Sequence, residues 1–218
     1  MSREKIQRMD GTTKAAPGSS AFTLIELLAV IVVIALLAAL IVPLTAMAVK
    51  NMKVARVETE LKDLETTIKN YKDTKGFYPP DNPYSFTTNQ LFYELNGAYY
   101  DATSQRYWPM YDTNVTFQCT VAAYTNEFNV GGIVNSSQNL SESPVFTHNF
   151  SQKQIATNID GFVLLYCTVH NADGNLVTWN YNSSNPTNNP TSFDLWVDLT
   201  LRGKTHRFCN WSSTPIVF

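Results

Sequence analysis

Residues 21–28 read Ala-Phe-Thr-Leu-Ile-Glu-Leu-Leu, and an apolar run continues from them to Val42. Between Phe22 and Val42 only Thr23 and Glu26 are not plainly apolar. As an α-helix this stretch would be about 31 Å long, which is enough to cross the hydrocarbon core of a bilayer. The sequence therefore predicts a single membrane-crossing helix.

Glu26 is unusual in such a helix, because an ionisable side chain is costly in lipid and should have a partner. Two interpretations are open. The carboxylate can lie in the headgroup zone, where it also interacts favourably with the positive end of the helix dipole. Alternatively, it can serve a function, and the energetic cost alone does not decide between the two.

The order of these residues resembles the class III signal of type IV pilins and type II secretion pseudopilins. In that family a small residue is followed by Phe-Thr-Leu-Ile-Glu-Leu and an apolar helix. The resemblance implies that prepilin peptidase cuts between Ala21 and Phe22 and then methylates the new N-terminus on Phe22. It also implies an assembly role for Glu26 and a helix-loosening role for Pro43. The chain departs from the usual pattern in having Ala21 where glycine is common, and in its long leader.

The charge is distributed asymmetrically along the chain, although the formal net charge is only −2. The leader, residues 1–21, is polar and basic, whereas the residues after Gly76 carry more acidic than basic side chains. By the positive-inside rule this predicts a cytoplasmic N-terminus and an exported head. With the resemblance, it predicts a single-pass protein of the bacterial inner membrane with a periplasmic head. An acidic head argues against nucleic-acid binding, which requires a basic face.

A secretory signal peptide is the main alternative interpretation of the N-terminal region. Such a peptide has a shorter apolar core, followed by a small-x-small cleavage site. Ala46-Met47-Ala48 is the nearest candidate, but a helical pattern continues through it. We therefore expect the apolar segment to be retained.

Beyond Pro43 the sequence predicts an amphipathic helix, because apolar residues recur every three or four positions among charged ones. We expect the helix to continue through Pro43 with a kink or a loosening there, since proline removes one hydrogen bond. Gly76 should cap the end of the helix. The predicted apolar stripe consists of Leu44, Met47, Val54, Val57, Leu61, Leu64, Ile68 and Tyr71.

The rest of the chain is predicted to form a head with an antiparallel sheet. We expect a short helix at 91–95, an irregular insertion at 126–158, and strands at 115–121, 162–169, 176–181, 193–201 and 207–211. The predicted fold class is therefore α+β and pilin-like, with a long N-terminal helix packed on a small antiparallel β-sheet. Its predicted parts are a cytosolic leader (1–21), a transmembrane or filament-core helix (22–43), an amphipathic helix (44–76) and a periplasmic head (77–218).

Two further stretches resemble the major pseudopilins: the end of the helix through Tyr78-Pro79, and the C-terminal hairpin from Phe193 to Trp211. In those proteins a loop in this neighbourhood supplies acidic ligands to calcium. Here Asp194 and Asp198 are the carboxylates nearest to that position. Because calcium takes about six to eight oxygen ligands, two carboxylates make the site doubtful. We expect no other cofactor or metal.

No pattern of residues predicts catalysis, so we do not expect an enzyme. No nucleophile elbow, Walker loop or Rossmann glycine pattern is present. The histidines lack metal-ligand spacing, and the cysteines can be either buried free thiols or a disulfide with one thiol left over. These residues are His148, His170 and His206, and Cys119, Cys167 and Cys209.

Three functions remain open. The first is a structural subunit of a type II secretion pseudopilus or type IV pilus-like filament, at the periplasm or the cell surface. The second is a membrane-anchored periplasmic binding or adhesion module of the minor pilin type, with 126–158 as its recognition surface. The third is a tethered periplasmic enzyme. The resemblance favours the first, and it implies self-assembly into a helical filament, with other pseudopilins, prepilin peptidase, an inner-membrane assembly platform and, before assembly, membrane lipid as partners.

Overall fold

The computed structural model describes residues 22–109, 118–139, 142, 144–146 and 150–218, and gives only the backbone of residues 40, 42–44, 46 and 109. The predicted leader with Ala21, and most of the predicted strand at 115–121, lie outside the described residues. The chain divides into two compact units, residues 1–47 and residues 48–218. The fold class is α+β, as predicted, with an N-terminal helix and antiparallel-rich sheets.

The first element, α1, is one α-helix from Leu24 to Lys75. It continues through Pro43, as predicted, while the expected kink at that residue stays a prediction. The helix ends where Gly76 adopts a φ of +86° and donates its backbone N–H to the carbonyl oxygen of Lys72 over 2.7 Å. Glycine accepts this left-handed conformation without the steric cost of a Cβ atom, which confirms the predicted cap.

In the first unit the described part of α1 has no neighbours that cover it. Every described side chain from Phe22 to Ala39 is exposed, although nearly all of them are apolar. Within the residues described, no helix is both long enough and apolar enough to span a membrane.

In the second unit the predicted apolar stripe of α1 is confirmed over most of its length. Val54 is partly buried and packs against the core. Five further residues of the stripe are buried: Val57, Leu61, Leu64, Ile68 and Tyr71. Met47, which the prediction also placed on the stripe, belongs to the first unit and is exposed. Glu60 differs from the exposed charged residues of this helix, because it is buried and accepts a hydrogen bond from the backbone N–H of Thr168 over 3.1 Å.

Two short helices neighbour the strands of the first sheet along the chain, and the first of them contacts the strand Val163–Cys167 described below. Helix α2 (Leu91–Asn96) confirms the predicted helix and is buried throughout. The strand order is β3-β2-β1-β4. The strands are β1 (Ala98–Asp101), β2 (Arg106–Pro109), β3 (Cys119–Thr120) and β4 (Ser136–Ser137), with helix α3 (Val121–Phe128) after β3.

Helix α3 corrects two predictions. The strand expected through Val121 ends at Thr120, whose hydroxyl accepts a hydrogen bond from the backbone N–H of Ala123 over 3.1 Å and so caps a helix. Tyr124 and Phe128 then lie four residues apart on the buried side of that helix. The insertion expected at 126–158 is therefore not simply irregular, because it contains the end of α3, strand β4 and the next strand, β5 (Ile155–Thr157).

The second sheet has the order β5-β6-β7, where β6 is Val163–Cys167 and β7 is Val177–Thr178. Strand β6 confirms the strand predicted at 162–169, and β7 pairs antiparallel with it, as predicted. The predicted return strand at 176–181 does not stay in one sheet. Its second half forms β8 (Asn180–Asn182), which pairs with a different strand, because the chain changes sheets at the buried residue Trp179.

The third sheet has the order β11-β10-β9-β8, with β9 at Asp194–Leu201, β10 at Lys204–Cys209 and β11 at Ile216–Val217. The hairpin between β9 and β10 confirms the predicted one. Its two turn residues, Arg202 and Gly203, have φ values of 53° and 76°, the positive values that a tight two-residue hairpin requires. Strand β11 was not predicted, because a strand of two residues is too short to show an alternation of apolar and polar side chains.

Candidate assembly site

Thr23 and Glu26 form a reciprocal cap at the start of α1. The backbone N–H of Thr23 donates to Oε2 of Glu26 over 2.9 Å, and the Thr23 hydroxyl donates to the same oxygen over 2.7 Å. In return, the Glu26 N–H donates to the Thr23 hydroxyl oxygen over 3.3 Å. This is a capping box, and its Thr-x-x-Glu spacing is visible in the sequence.

The cap fixes the Glu26 side chain, but it uses only one of the two carboxylate oxygens as a hydrogen-bond acceptor. Both of its acceptor contacts end on Oε2. Within the described ranges, Oε1 accepts no hydrogen bond. A carboxylate oriented in this way can accept one further strong donor, and a charged amine is the strongest that a protein supplies.

The capping box is surrounded by exposed apolar side chains. Phe22 is 75% exposed, Leu24 82% and Ile25 74%. Monomeric proteins rarely expose apolar surface of this extent, and a helix that is apolar on all sides needs lipid or other helices around it. This stretch of α1 is therefore a surface to be covered. Of the two residues at the predicted cleavage site, Phe22 is described and Ala21 is not.

The two carboxylates considered for calcium each have partners within the chain. Asp194 accepts backbone N–H groups from Thr187 and Asn188 over 2.9 Å each, and from Asn189 over 2.8 Å. Asp198 forms a two-point ion pair with Arg207, with nitrogen–oxygen distances of 2.8 and 2.7 Å. Among the residues that the structure describes, no three His, Cys, Asp or Glu side chains gather as a metal site. The geometry gives Asp194 a structural role, because it closes the turn at 187–189.

The basic residues near the last hairpin, Arg202, Lys204, His206 and Arg207, do not form one basic face. Arg207 is neutralised by Asp198, and His206 is buried with its Nδ1 atom 3.0 Å from the carbonyl oxygen of Lys204. His148 lies outside the described residues, and His170 is exposed. Because Arg207 is paired and His206 is buried, these two described residues do not add to a basic surface.

The three cysteines are buried free thiols in different parts of the head. Burial raises the pKa of the Cys119 thiol to about 12, and it raises that of Cys167 to about 12 as well. Burial also raises the pKa of Cys209. Thiols in such surroundings remain protonated and are poor nucleophiles.

Glu94 is a buried ionisable residue that the sequence did not reveal. It lies on α2 and joins three parts of the head. The Tyr71 hydroxyl on α1 donates to Oε2 over 2.8 Å. The backbone N–H groups of Val134 and Asn135 donate to its two oxygens over 2.8 and 3.0 Å. Burial raises the pKa of the Glu94 carboxyl, and these donors oppose the rise only in part.

Comparison with known proteins bears on the N-terminal stretch alone. The chain matches no curated protein and no solved structure. Residues 17–42 match the family model described as the prokaryotic N-terminal methylation motif. That range contains Phe22, the capping box of Thr23 and Glu26, and the exposed apolar part of α1. The chain therefore carries the N-terminal signal of a type IV pilin-like precursor.

Proposed function

We propose that this protein is a structural subunit of a type II secretion pseudopilus or of a type IV pilus-like filament. Prepilin peptidase cuts it before Phe22 and methylates the new N-terminus. Until assembly it is a single-pass protein of the bacterial inner membrane, with the leader in the cytoplasm and the head in the periplasm. The observation that carries the proposal is the match of residues 17–42 to the methylation motif, on a helix whose apolar side chains are uncovered.

In this proposal the exposed helix is covered first by lipid and then by neighbouring helices of the filament. The apolar side chains from Phe22 to Ile41 suit both surroundings, because neither contains water. Assembly then exchanges lipid contacts for contacts between helices. The protein acts through its packing, and we assign it no catalytic role.

Cleavage creates a charged amine on Phe22, next to the capping box. In a filament of staggered parallel helices, this amine can meet the open Oε1 of Glu26 on a neighbouring subunit. Each charge alone is costly in apolar surroundings, and together they become a pair. Because Thr23 already orients the Glu26 carboxylate, the pair also fixes the axial register between subunits.

The substitution Glu26→Gln separates the charge of this residue from its capping role. Glutamine occupies the same position in capping boxes and can still accept the N–H of Thr23, but it has no charge for the amine. We expect Glu26→Gln to enter the membrane and to be cleaved, yet to assemble poorly. Cleavage is measured by mass spectrometry, and assembly by electron microscopy of filaments together with cross-linking between subunits.

Thr23→Val is the matched control, since it removes the capping hydroxyl and keeps the Glu26 charge. We expect Thr23→Val to assemble much better than Glu26→Gln. Normal filaments or full secretion with Glu26→Gln would mean that the carboxylate only caps the helix. Equal loss of assembly in both variants would mean that the orientation of the carboxylate by Thr23 matters as much as its charge.

A membrane-anchored binding or adhesion module of the minor pilin type is the second candidate. The expected recognition surface at 126–158 gives it little support, because Phe128, Ile133 and Asn135 of that segment are buried in the head. A cleft elsewhere in the head supports it better and is described next.

A further inference from the structure

The head contains a cleft between the loop at 81–86, the loop at 182–188 and the strands β9 and β10. Its volume is 340 Å³, within the range of about 300–1,000 Å³ that small-molecule sites occupy. All residues that line the cleft belong to the second unit. None of them belongs to α1 or to the segment 126–158. Its lining combines aromatic rings with amide and charged side chains.

Three aromatic rings form the apolar side of the cleft. Phe86 and Trp196 have ring centroids 5.4 Å apart, and Trp196 and Trp211 have centroids 5.8 Å apart, both pairs in edge-to-face arrangement. Phe86 is 46% exposed, and both tryptophans are half-buried. Edge-to-face contact favours these ring orientations, and the apolar wall stays accessible to solvent.

The polar side of the cleft is held in place from behind. Oδ2 of Asp81 accepts the backbone N–H groups of Ser183 and Ser184 over 3.1 and 3.2 Å, and the Ser184 hydroxyl over 2.9 Å. Arg207 is fixed by Asp198 through Nε and Nη2. These contacts orient the carboxylate and the guanidinium before any ligand arrives, which lowers the entropic cost of binding.

Several hydrogen-bonding groups of the lining residues have no partner within the part of the chain that the structure describes. They are Oδ1 of Asp81, Nη1 of Arg207 and the side-chain amide of Asn185. Together they offer an acceptor, a donor and a group that does both. A ligand that carries several hydroxyl groups can satisfy all three.

The geometry points to a neutral carbohydrate as the ligand of this cleft, bound with a pyranose ring against the aromatic wall. A pyranose presents a C–H face that packs on aromatic rings, and hydroxyl groups around its edge that pair with amide, carboxylate and guanidinium groups. The lining does not favour a nucleic acid, because its arginine is already paired with Asp198. It does not favour a metal either, because N–H donors already occupy both oxygens of Asp194 and Oδ2 of Asp81, so that only Oδ1 of Asp81 stays open among the carboxylate oxygens of the described lining.

This assignment does not depend on filament assembly, because the cleft is formed within one head. It would let the subunit hold a polysaccharide that is secreted past it or that lies in the cell envelope. Both sources share the same pyranose chemistry. A glucose oligomer and an N-acetylglucosamine oligomer show whether the cleft requires an acetamido group, which only the second carries.

The test is a titration of the full-length mature protein in a detergent without a sugar headgroup, followed by tryptophan fluorescence. The probes are cellohexaose and chitohexaose. We expect at least one of them to shift the emission saturably. Trp211→Ala should weaken that binding about two- to tenfold, as expected for the loss of one aromatic contact. Binding of neither probe would overturn the inference.

Trp108→Ala is the matched control, since Trp108 is an exposed tryptophan on β2 that does not line the cleft. We expect this variant to bind like the wild type. If Trp108→Ala and Trp211→Ala weakened binding equally, the cleft would not be the site. Asn185→Ala is a second test that keeps the aromatic wall, and it should weaken binding severalfold while leaving the melting temperature unchanged. Wild-type affinity in Asn185→Ala would contradict the assigned polar side.

Discussion

Truncation of Leu64 to alanine tests how firmly the amphipathic part of α1 is packed into the head. Leu64 is 4% exposed and lies between Leu61 and Ile68 on the buried side of the helix. Replacing a buried leucine by alanine removes apolar contacts and leaves a cavity, at a cost of about 2–5 kcal/mol. For a unit the size of residues 48–218, this corresponds to a fall in melting temperature of roughly 4–20 °C.

The assay is thermal and urea unfolding of a chain that begins at Ala48, followed by circular dichroism. Met52→Ala is the control on the same helix, because Met52 is 64% exposed. Its effect should stay within about 0.5 kcal/mol, as for other surface substitutions. An unchanged melting temperature for Leu64→Ala, or equal shifts for both variants, would refute the packing described for α1.

Two further predictions concern buried ionisable groups. Because burial raises the pKa of Glu94, the native state keeps this proton at pH values where the unfolded chain has lost it. The free energy of unfolding should therefore fall as the pH rises from about 4.3 through the raised pKa, by at most about 1.4 kcal/mol per pH unit. Glu94→Gln should remove the contribution of Glu94 to this fall in the free energy of unfolding. Urea unfolding of both proteins at a series of pH values measures the difference. The same pH profile in both proteins would show that Glu94 is ionised normally. The three buried thiols should resist a thiol reagent at neutral pH in the native protein and react after unfolding, as counted by mass spectrometry. Rapid labelling of the native protein would contradict their burial.

The features that the sequence predicted correctly depend on local patterns. The stripe from Val57 to Tyr71 follows the helical period, and Gly76 is a recognisable cap. The hairpin of β9 and β10 combines alternation with a glycine turn. The candidate assembly site also comes from residue order, since Phe22 and Glu26 fall in a dense motif, but its role in assembly stays a prediction; the structure adds the capping box that orients Glu26.

The features that the sequence did not predict depend on contacts between distant residues. Glu94 is buried because Tyr71 and the backbone at 134–135 supply its donors. The strand expected at 176–181 splits because its two halves pair with different strands. The cleft gathers side chains from Asp81 to Trp211, so no local window of sequence contains its pattern.

The N-terminus of the protein extracted from membranes gives the most direct test of the pilin-like assignment. We predict that N-terminal sequencing reads Phe-Thr-Leu-Ile-Glu, starting at Phe22, and that intact mass shows one methyl group on the new amine. The signal at residues 17–42 is the basis for both expectations. Protein that retains residues 1–21 in its assembled form, or that is cut at Ala46-Met47-Ala48, would contradict the assignment.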